Sequence, residues 1–244
     1  MITNKGGIYG TGHFNRMRLL KNHLEKMNIT CEIVSGKSMA TGIGSRKVVL
    51  LDSRDDEFPG EVMTQKKDDH YFIAIDNRGE GRRQCDLVWD TLPHMNMTEN
   101  ELKTALKNCI LDPNIYERLA RPAKSKIIRT TLENIEAEKN KIDLIQYAEK
   151  DREKMNEPTN ETQFHEKLIH SKKIATYFGQ TFFEALYLGK EIYLYDISDY
   201  HKQLSDWFTG RWNRQPDLNE IFDGQGLHRL AVLIRSILLG VLYV

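Results

Sequence analysis

The chain has 244 residues, and its 35 Lys and Arg are balanced by 35 Asp and Glu, so the formal net charge is zero at neutral pH. That length accommodates two compact domains or one large one. The charge balance excludes a bulk electrostatic pull toward nucleic acid or anionic lipid, so any anionic ligand must be held by a local site. Cys31, Cys85 and Cys109 are odd in number and lack zinc or redox spacing. They predict reduced, mostly buried thiols and a cytoplasmic setting. The opening Met1-Ile2-Thr3-Asn4-Lys5 has no apolar stretch behind its charge and does not read as a secretory signal. The apolar segment 230–244 contains Arg235 and is shorter than the roughly 20 residues of a spanning helix. It is expected to be a packed C-terminal helix and tail, with no transmembrane segment.

After a glycine-rich opening, Met17, Leu20, Leu24 and Met27 recur at helical spacing and predict an amphipathic helix from near Phe14. Segments 30–34, 47–51, 71–75 and 86–89 are short apolar runs, as expected of parallel strands covered on both faces. The last three end in or just before Asp52, Asp76 and Asp90, polar residues where a sheet's carboxyl edge would meet solvent or ligand. A helix is predicted over 98–111, and Pro113 and Pro122 bracket a passage to a second domain. The expected domains are therefore 1–120 and 121–244. In the second, a strand starts at Lys126, and the charge run 149–154 reads as solvated and without function. A strand over 173–177, a turn at Gly179, a helix over 181–188 and a strand over 192–195 make a βαβ unit. Leu227, Leu230, Ala231, Ile234 and Leu238 share one face of a last helix, after the turn Asp223-Gly224-Gln225-Gly226.

Two clusters can carry chemistry. Gly6-Gly7 and Gly10-Thr11-Gly12-His13, with Arg16 following, stand directly before the first amphipathic helix. Glycines there let backbone amides approach a ligand, and the helix start adds partial positive charge. The same dipole favours a neutral imidazole at His13, which suits a general base; the alternative is a tight turn whose histidine caps the helix. Asn15 stands where a dinucleotide fingerprint needs its third glycine. The second cluster is Phe178-Gly179-Gln180-Thr181-Phe182-Phe183-Glu184. Gln180 and Thr181 could face a phosphate and Glu184 ribose hydroxyls, or Thr181 and Glu184 could form a capping box that needs no ligand. Gly36-Lys37-Ser38 imitates the end of a P-loop, but Cys31 stands where its first glycine belongs. The histidines show no metal-ligand spacing, with His165 and His170 five apart, and Asp52, Asp55 and Asp56 read as a solvated acidic loop rather than a cation site.

The segments GTGHFNR and ATYFGQTFFEALYLGK together resemble the UDP-sugar hydrolases of pseudaminic acid biosynthesis and the related spore-coat polysaccharide proteins. These belong to the wider GT-B group, which includes the peptidoglycan N-acetylglucosaminyltransferase. The resemblance implies two Rossmann-like domains facing a cleft, the N-terminal one on the sugar or acceptor side and the C-terminal one on the UDP side. It implies His13 as catalytic base, and Gly10, Gly12 and Arg16 beside it are expected to bind substrate. Gly179, Gln180, Thr181 and Glu184 would hold diphosphate and ribose, and Lys202 and Gln203 would line the sugar pocket. The sequence departs from the family at Lys202, where asparagine is expected, at Gln180, where a small hydroxyl residue is expected, and at Arg129-Thr130-Thr131-Leu132, which lacks a Gly-Gly pair.

The implied reaction is release of UDP from a UDP-linked amino sugar by water attack at the anomeric carbon, in surface-glycan or nonulosonic-acid biosynthesis. It needs neither metal nor other cofactor, and its partner is the UDP-sugar itself rather than nucleic acid. Two alternatives stay open. With a sugar hydroxyl in place of water the same residues make a GT-B glycosyltransferase, and the departures from the family pattern also fit a non-catalytic nucleotide-sugar-binding relative. The absence of an evident apolar docking surface, the segment 237–244 being expected in the core, favours the hydrolase.

Overall fold

The computed structural model describes residues 1–3, 12–35, 47–52, 70–77, 79–116, 124–148, 161–215 and 217–241. It is an α/β protein with two parallel sheets flanked by helices, and it divides into two compact units. Unit 1 comprises Met1–Leu92, Lys107–Ile110 and Gln225–Val244, and unit 2 comprises Pro93–Leu106 and Leu111–Gly224. The single boundary expected at residue 120 does not anticipate that the last segment belongs with the first sheet.

In unit 1 the strands are β1 (Ile2–Thr3), β2 (Val34–Ser35), β3 (Lys47–Asp52), β4 (His70–Ile75) and β5 (Leu87–Trp89). Their order is β2-β1-β3-β4-β5, all parallel. The chain thus winds outward in both directions from the β1/β3 pair. Helix α1 (Gly12–Lys26) turns the predicted apolar spacing into a buried face of Met17, Leu20 and Leu24. These pack with Leu50, Ile73 and Ile75 of the sheet. The alternate strand residues Leu51, Phe72 and Ala74 are also fully buried, which explains why the strands read as continuous apolar runs rather than alternating ones. The strand expected over 30–34 is confined to Val34–Ser35. Cys31 and Ile33 instead lie partly buried against the core without regular structure.

Helix α9 (Gly226–Leu238) packs on α1 and β3. It contributes Leu227, Leu230, Ala231 and Ile234 to the same core, each large apolar side chain stabilising by about 2 kcal/mol relative to exposure. The expected packed tail is only partly so. Leu239 and Val241 are 66% and 72% exposed, because the helical face that meets the core ends at Ile234 and Ile237. No helix among the described residues is long and apolar enough to cross a membrane.

Unit 2 is built on β6 (Lys126–Arg129), β7 (Leu144–Ile145), β8 (Lys173–Tyr177) and β9 (Glu191–Tyr195), parallel in the order β6-β9-β8-β7. Helix α2 (Glu99–Asn108) begins at a capping box, since Thr98 Oγ1 accepts from the Glu101 amide at 3.3 Å and Glu101 Oε2 accepts from the Thr98 amide at 2.7 Å. Helix α3 (Pro113–Tyr116) follows, and α4 (Leu132–Ala137) starts on the Thr131 cap and packs Ile135 against Ala175 and Tyr195. Helix α5 (Glu161–His170) precedes β8, and α6 (Gln180–Tyr187) is the expected βαβ crossover. Its Phe182 and Phe183 join Phe178, Phe208 and Phe222 in an aromatic core with ring centroids 5.0–6.3 Å apart. Phe208 belongs to α7 (Asp199–Arg214), and α8 (Leu218–Ile221) completes the unit; α3, α4, α5, α7, α8 and the short strands β1 and β7 were not predicted.

The start of α9 is pressed against the end of α2 within unit 1. A β-carbon on Gly226 would lie 2.3 Å from the carbonyl oxygens of both Asn108 and Cys109, and those backbone atoms cannot yield as a side chain can. Gly226→Ala is expected to destabilise unit 1 by about 3 kcal/mol, read as a lowered urea midpoint; an unchanged midpoint would show that this junction is not tightly packed.

Candidate functional site

His13 and Arg16 lie near the start of α1, three residues apart and hence on one face of the helix. Asp52 is the last residue of β3, in register with Thr3 of β1. Asp52 therefore stands at the carboxyl edge at the point where the sheet's winding reverses, the place where open parallel sheets bind ligands. The fold brings the three side chains together. His13 Nδ1 lies 2.5 Å from Asp52 Oδ1. Arg16 donates from Nε to Asp52 Oδ2 at 3.0 Å and from Nη2 to Asp52 Oδ1 at 2.7 Å, the two-point grip that suits a guanidinium and a carboxylate.

The outer edge of the same guanidinium is held as well. Arg16 Nη1 donates to Asp76 Oδ2 at 2.6 Å and to Thr91 Oγ1 at 3.1 Å. Asp76 follows β4 in a left-handed conformation, φ 51°, which aspartate tolerates better than most residues. Its Oδ1 accepts from the amides of Thr91 at 2.6 Å and Leu92 at 2.9 Å, and its Oδ2 accepts from the Thr91 hydroxyl at 2.5 Å. Asp52, Arg16 and Thr91 are buried, whereas the His13 side chain is 23% exposed. Its Nε2 makes no hydrogen bond to a described residue.

Burial pushes the Asp52 carboxyl up, but the Arg16 guanidinium and His13 outweigh it and hold the group below the usual carboxylate range. Burial likewise pulls the Arg16 guanidinium down, and Asp52 and Asp76 reverse that shift. Desolvated charges of this kind persist only when paired, and each of these contacts a partner of opposite sign.

Gly12 sits at the start of α1 with nothing within 4 Å of where a β-carbon would be, so crowding does not demand glycine there. Gly10, with Gly6, Gly7 and Thr11, lies outside the described residues, as do Gly36-Lys37-Ser38, Asp55, Asp56, Pro122 and the charge run 149–154. Among the described residues no group of three or more His, Cys, Asp or Glu could hold a metal ion. His165 instead pairs with Asp112 at 3.3 Å, and none of the three cysteines is in a disulfide; Cys109 is fully buried and Cys31 and Cys85 partly so.

In unit 2, Gly179 is the N-cap of α6 and no side chain caps the helix. The capping box expected of Thr181 and Glu184 is therefore not formed. With the helix starting at Gln180, Thr181 falls inside it, and Glu184 accepts from Gln180 Nε2 at 3.2 Å instead. Thr181 and Glu184 are both buried. Lys202 and Gln203 occupy exposed positions in the first turns of α7. Beside them, burial pushes the His201 imidazole down, opposed by Asp196. A cluster that sequence reading passed over lies at this sheet's carboxyl edge: Arg129, the last residue of β6, donates to Asp196 at 2.5 Å, to Asp206 at 3.0 Å and to the Leu194 carbonyl at 3.0 Å. In the sequence Arg129 stands out only as a departure from a glycine pair. Its position at a strand end, ahead of an aspartate after another strand, was the available signal.

No protein-family model, curated protein or solved structure matches the chain.

The depressed Asp52 pKa sets a pH dependence. Its contribution to stability is whole above the unfolded carboxylate range, about pH 4, and is lost as pH falls through the lower folded value. Asp52→Asn, which leaves Arg16 short of a buried charge partner, is expected to cost about 3 kcal/mol at pH 7. The gap from wild type should narrow below about pH 4 in urea titrations at a series of pH values; a gap constant with pH would contradict the charge assignment.

Proposed function

We propose that the chain is a nucleotide-sugar hydrolase of GT-B type, with two Rossmann-like domains and with His13 as its general base. The observation that carries this reading is the 2.5 Å contact between His13 and an Asp52 gripped by Arg16, at the reversal point of the first sheet's carboxyl edge. A histidine oriented by a buried carboxylate is a recurrent solution for removing a proton from a hydroxyl. The resemblance of GTGHFNR and ATYFGQTFFEALYLGK to the UDP-sugar hydrolases supplies the substrate class.

In this reading His13 takes a proton from water as the water oxygen forms its bond to the anomeric carbon. The bond from that carbon to the phosphate oxygen breaks, and the diphosphate leaves with the electron pair. Before the transfer the cluster holds one buried cation and two carboxylates; the proton gained by His13 makes the charges equal in number. Asp52 thereby stabilises positive charge as it forms on the ring. The N-terminus of α6, which carries no side-chain cap, supports a phosphate-facing role for the backbone of Gly179 to Thr181.

One observation favours a transferase as the second reading. Beyond the packed face of α9, Leu238, Leu239 and Val241 are exposed, an apolar surface of the kind that a lipid-linked acceptor requires.

The purified chain incubated with a panel of UDP-linked amino sugars is expected to release UDP without an added acceptor, and His13→Ala to lower that rate by about 10²–10⁴-fold. Release only when an acceptor is supplied would establish the transferase. UDP binding without release under any condition would overturn both catalytic readings.

A further inference from the structure

We infer that Asp52 and Arg16 are positioning residues that fix His13 in the tautomer protonated at Nδ1, leaving the lone pair on Nε2. The role of that lone pair as a base rests on the proposed function, but the tautomer itself follows from local geometry. An oxygen and a nitrogen 2.5 Å apart must share a proton. Asp52 is fully buried and accepts two bonds from the Arg16 guanidinium, so it is an ionised carboxylate and can only accept. The shared proton therefore belongs to Nδ1.

A competing contact would reverse this assignment. Arg16 Nη2 lies 3.3 Å from His13 Nδ1, and a donation along that line would need the lone pair on Nδ1. It loses on distance, 3.3 Å against 2.5 Å, and Nη2 already donates to Asp52 Oδ1 at 2.7 Å. Nor can the guanidinium swing toward the ring, because its Nη1 is tied to Asp76 and Thr91. Asp76 is in turn held by two backbone amides. The order of control runs from the backbone after β5, through Asp76 and Arg16, to Asp52 and the imidazole.

The test is a long-range proton–nitrogen correlation spectrum of the uniformly ¹⁵N-labelled chain at mildly alkaline pH. The His13 signals are assigned by their loss in His13→Gln. The wild type is expected to show a protonated Nδ1 and a deprotonated Nε2. In Asp52→Asn the side-chain amide can donate to Nδ1, so the tautomer is expected to reverse. Arg16→Lys keeps the charge but loses the two-point grip, and a mixture of tautomers is expected. A wild-type ring protonated at Nε2, or an Asp52→Asn ring still protonated only at Nδ1, would overturn the inference. The wild-type spectrum decides the tautomer even where a variant fails to fold.

Kinetics separate this inference from the functional reading. Where UDP release depends on His13, Asp52→Asn should lower kcat by about 10²-fold or more with KM little changed, the mark of a base in the wrong tautomer rather than a lost binding contact. The expected spectrum without any UDP release would leave the positioning intact and remove the hydrolase. His13-dependent release with the opposite tautomer would keep the hydrolase and overturn the positioning.

Discussion

A guanidinium buried between two carboxylates governs the organisation of unit 1. Removing Arg16, Asp52 and Asp76 from water costs several kcal/mol per ion, and only near-complete pairing offsets it. The pairing requires α1 to present Arg16 directly over the ends of β3 and β4, with the segment after β5 folded back so that Thr91 and Leu92 can satisfy Asp76. Apolar packing can tolerate small shifts of a helix over a sheet. A two-point ion pair with a second anchor tolerates much less, so the network sets the position of α1 where the hydrophobic face alone would leave latitude.

That position matters because His13 lies one helical turn before Arg16. The element that buries Met17, Leu20 and Leu24 thus also carries the imidazole to Asp52. Helix α9 secures the arrangement from the same face, packing on α1 and β3 and adding its own leucines to the shared core. Stability and chemistry are therefore coupled through one helix: its lower face is held by apolar burial, its start by charge.

Unit 2 reaches order by a different route. Its helix α6 is buried along nearly its whole length among phenylalanines, and its first turn lacks a side-chain cap. Charge is concentrated at the carboxyl edge of its sheet, where Arg129 joins Asp196 and Asp206. Both units thus place an arginine–carboxylate cluster at the ends of parallel strands, but among the described residues only in unit 1 does an imidazole belong to the cluster through a direct hydrogen bond.

Much of the fold was legible along the chain. Spacing of three and four residues marked the buried faces of α1 and α9, and continuous apolar runs marked β3, β4, β8 and β9, because burial on both faces of a parallel sheet leaves no polar alternation. Helix α7 was missed although Leu204, Phe208 and Trp212 recur every four residues behind the Ser198 cap, since its many polar residues diluted the pattern. The two-residue strands β1 and β7 carry too few residues for any periodicity. By itself the sequence determined the α/β class, the candidate base and the aspartates at the strand ends, for these depend on local spacing. Only the tertiary structure decided that Asp52 rather than solvent meets His13, that Arg16 bridges Asp52 to Asp76, and that the last helix completes the first unit. Those are contacts between residues far apart in the chain, made close by strand order and helix packing, and no local pattern encodes them.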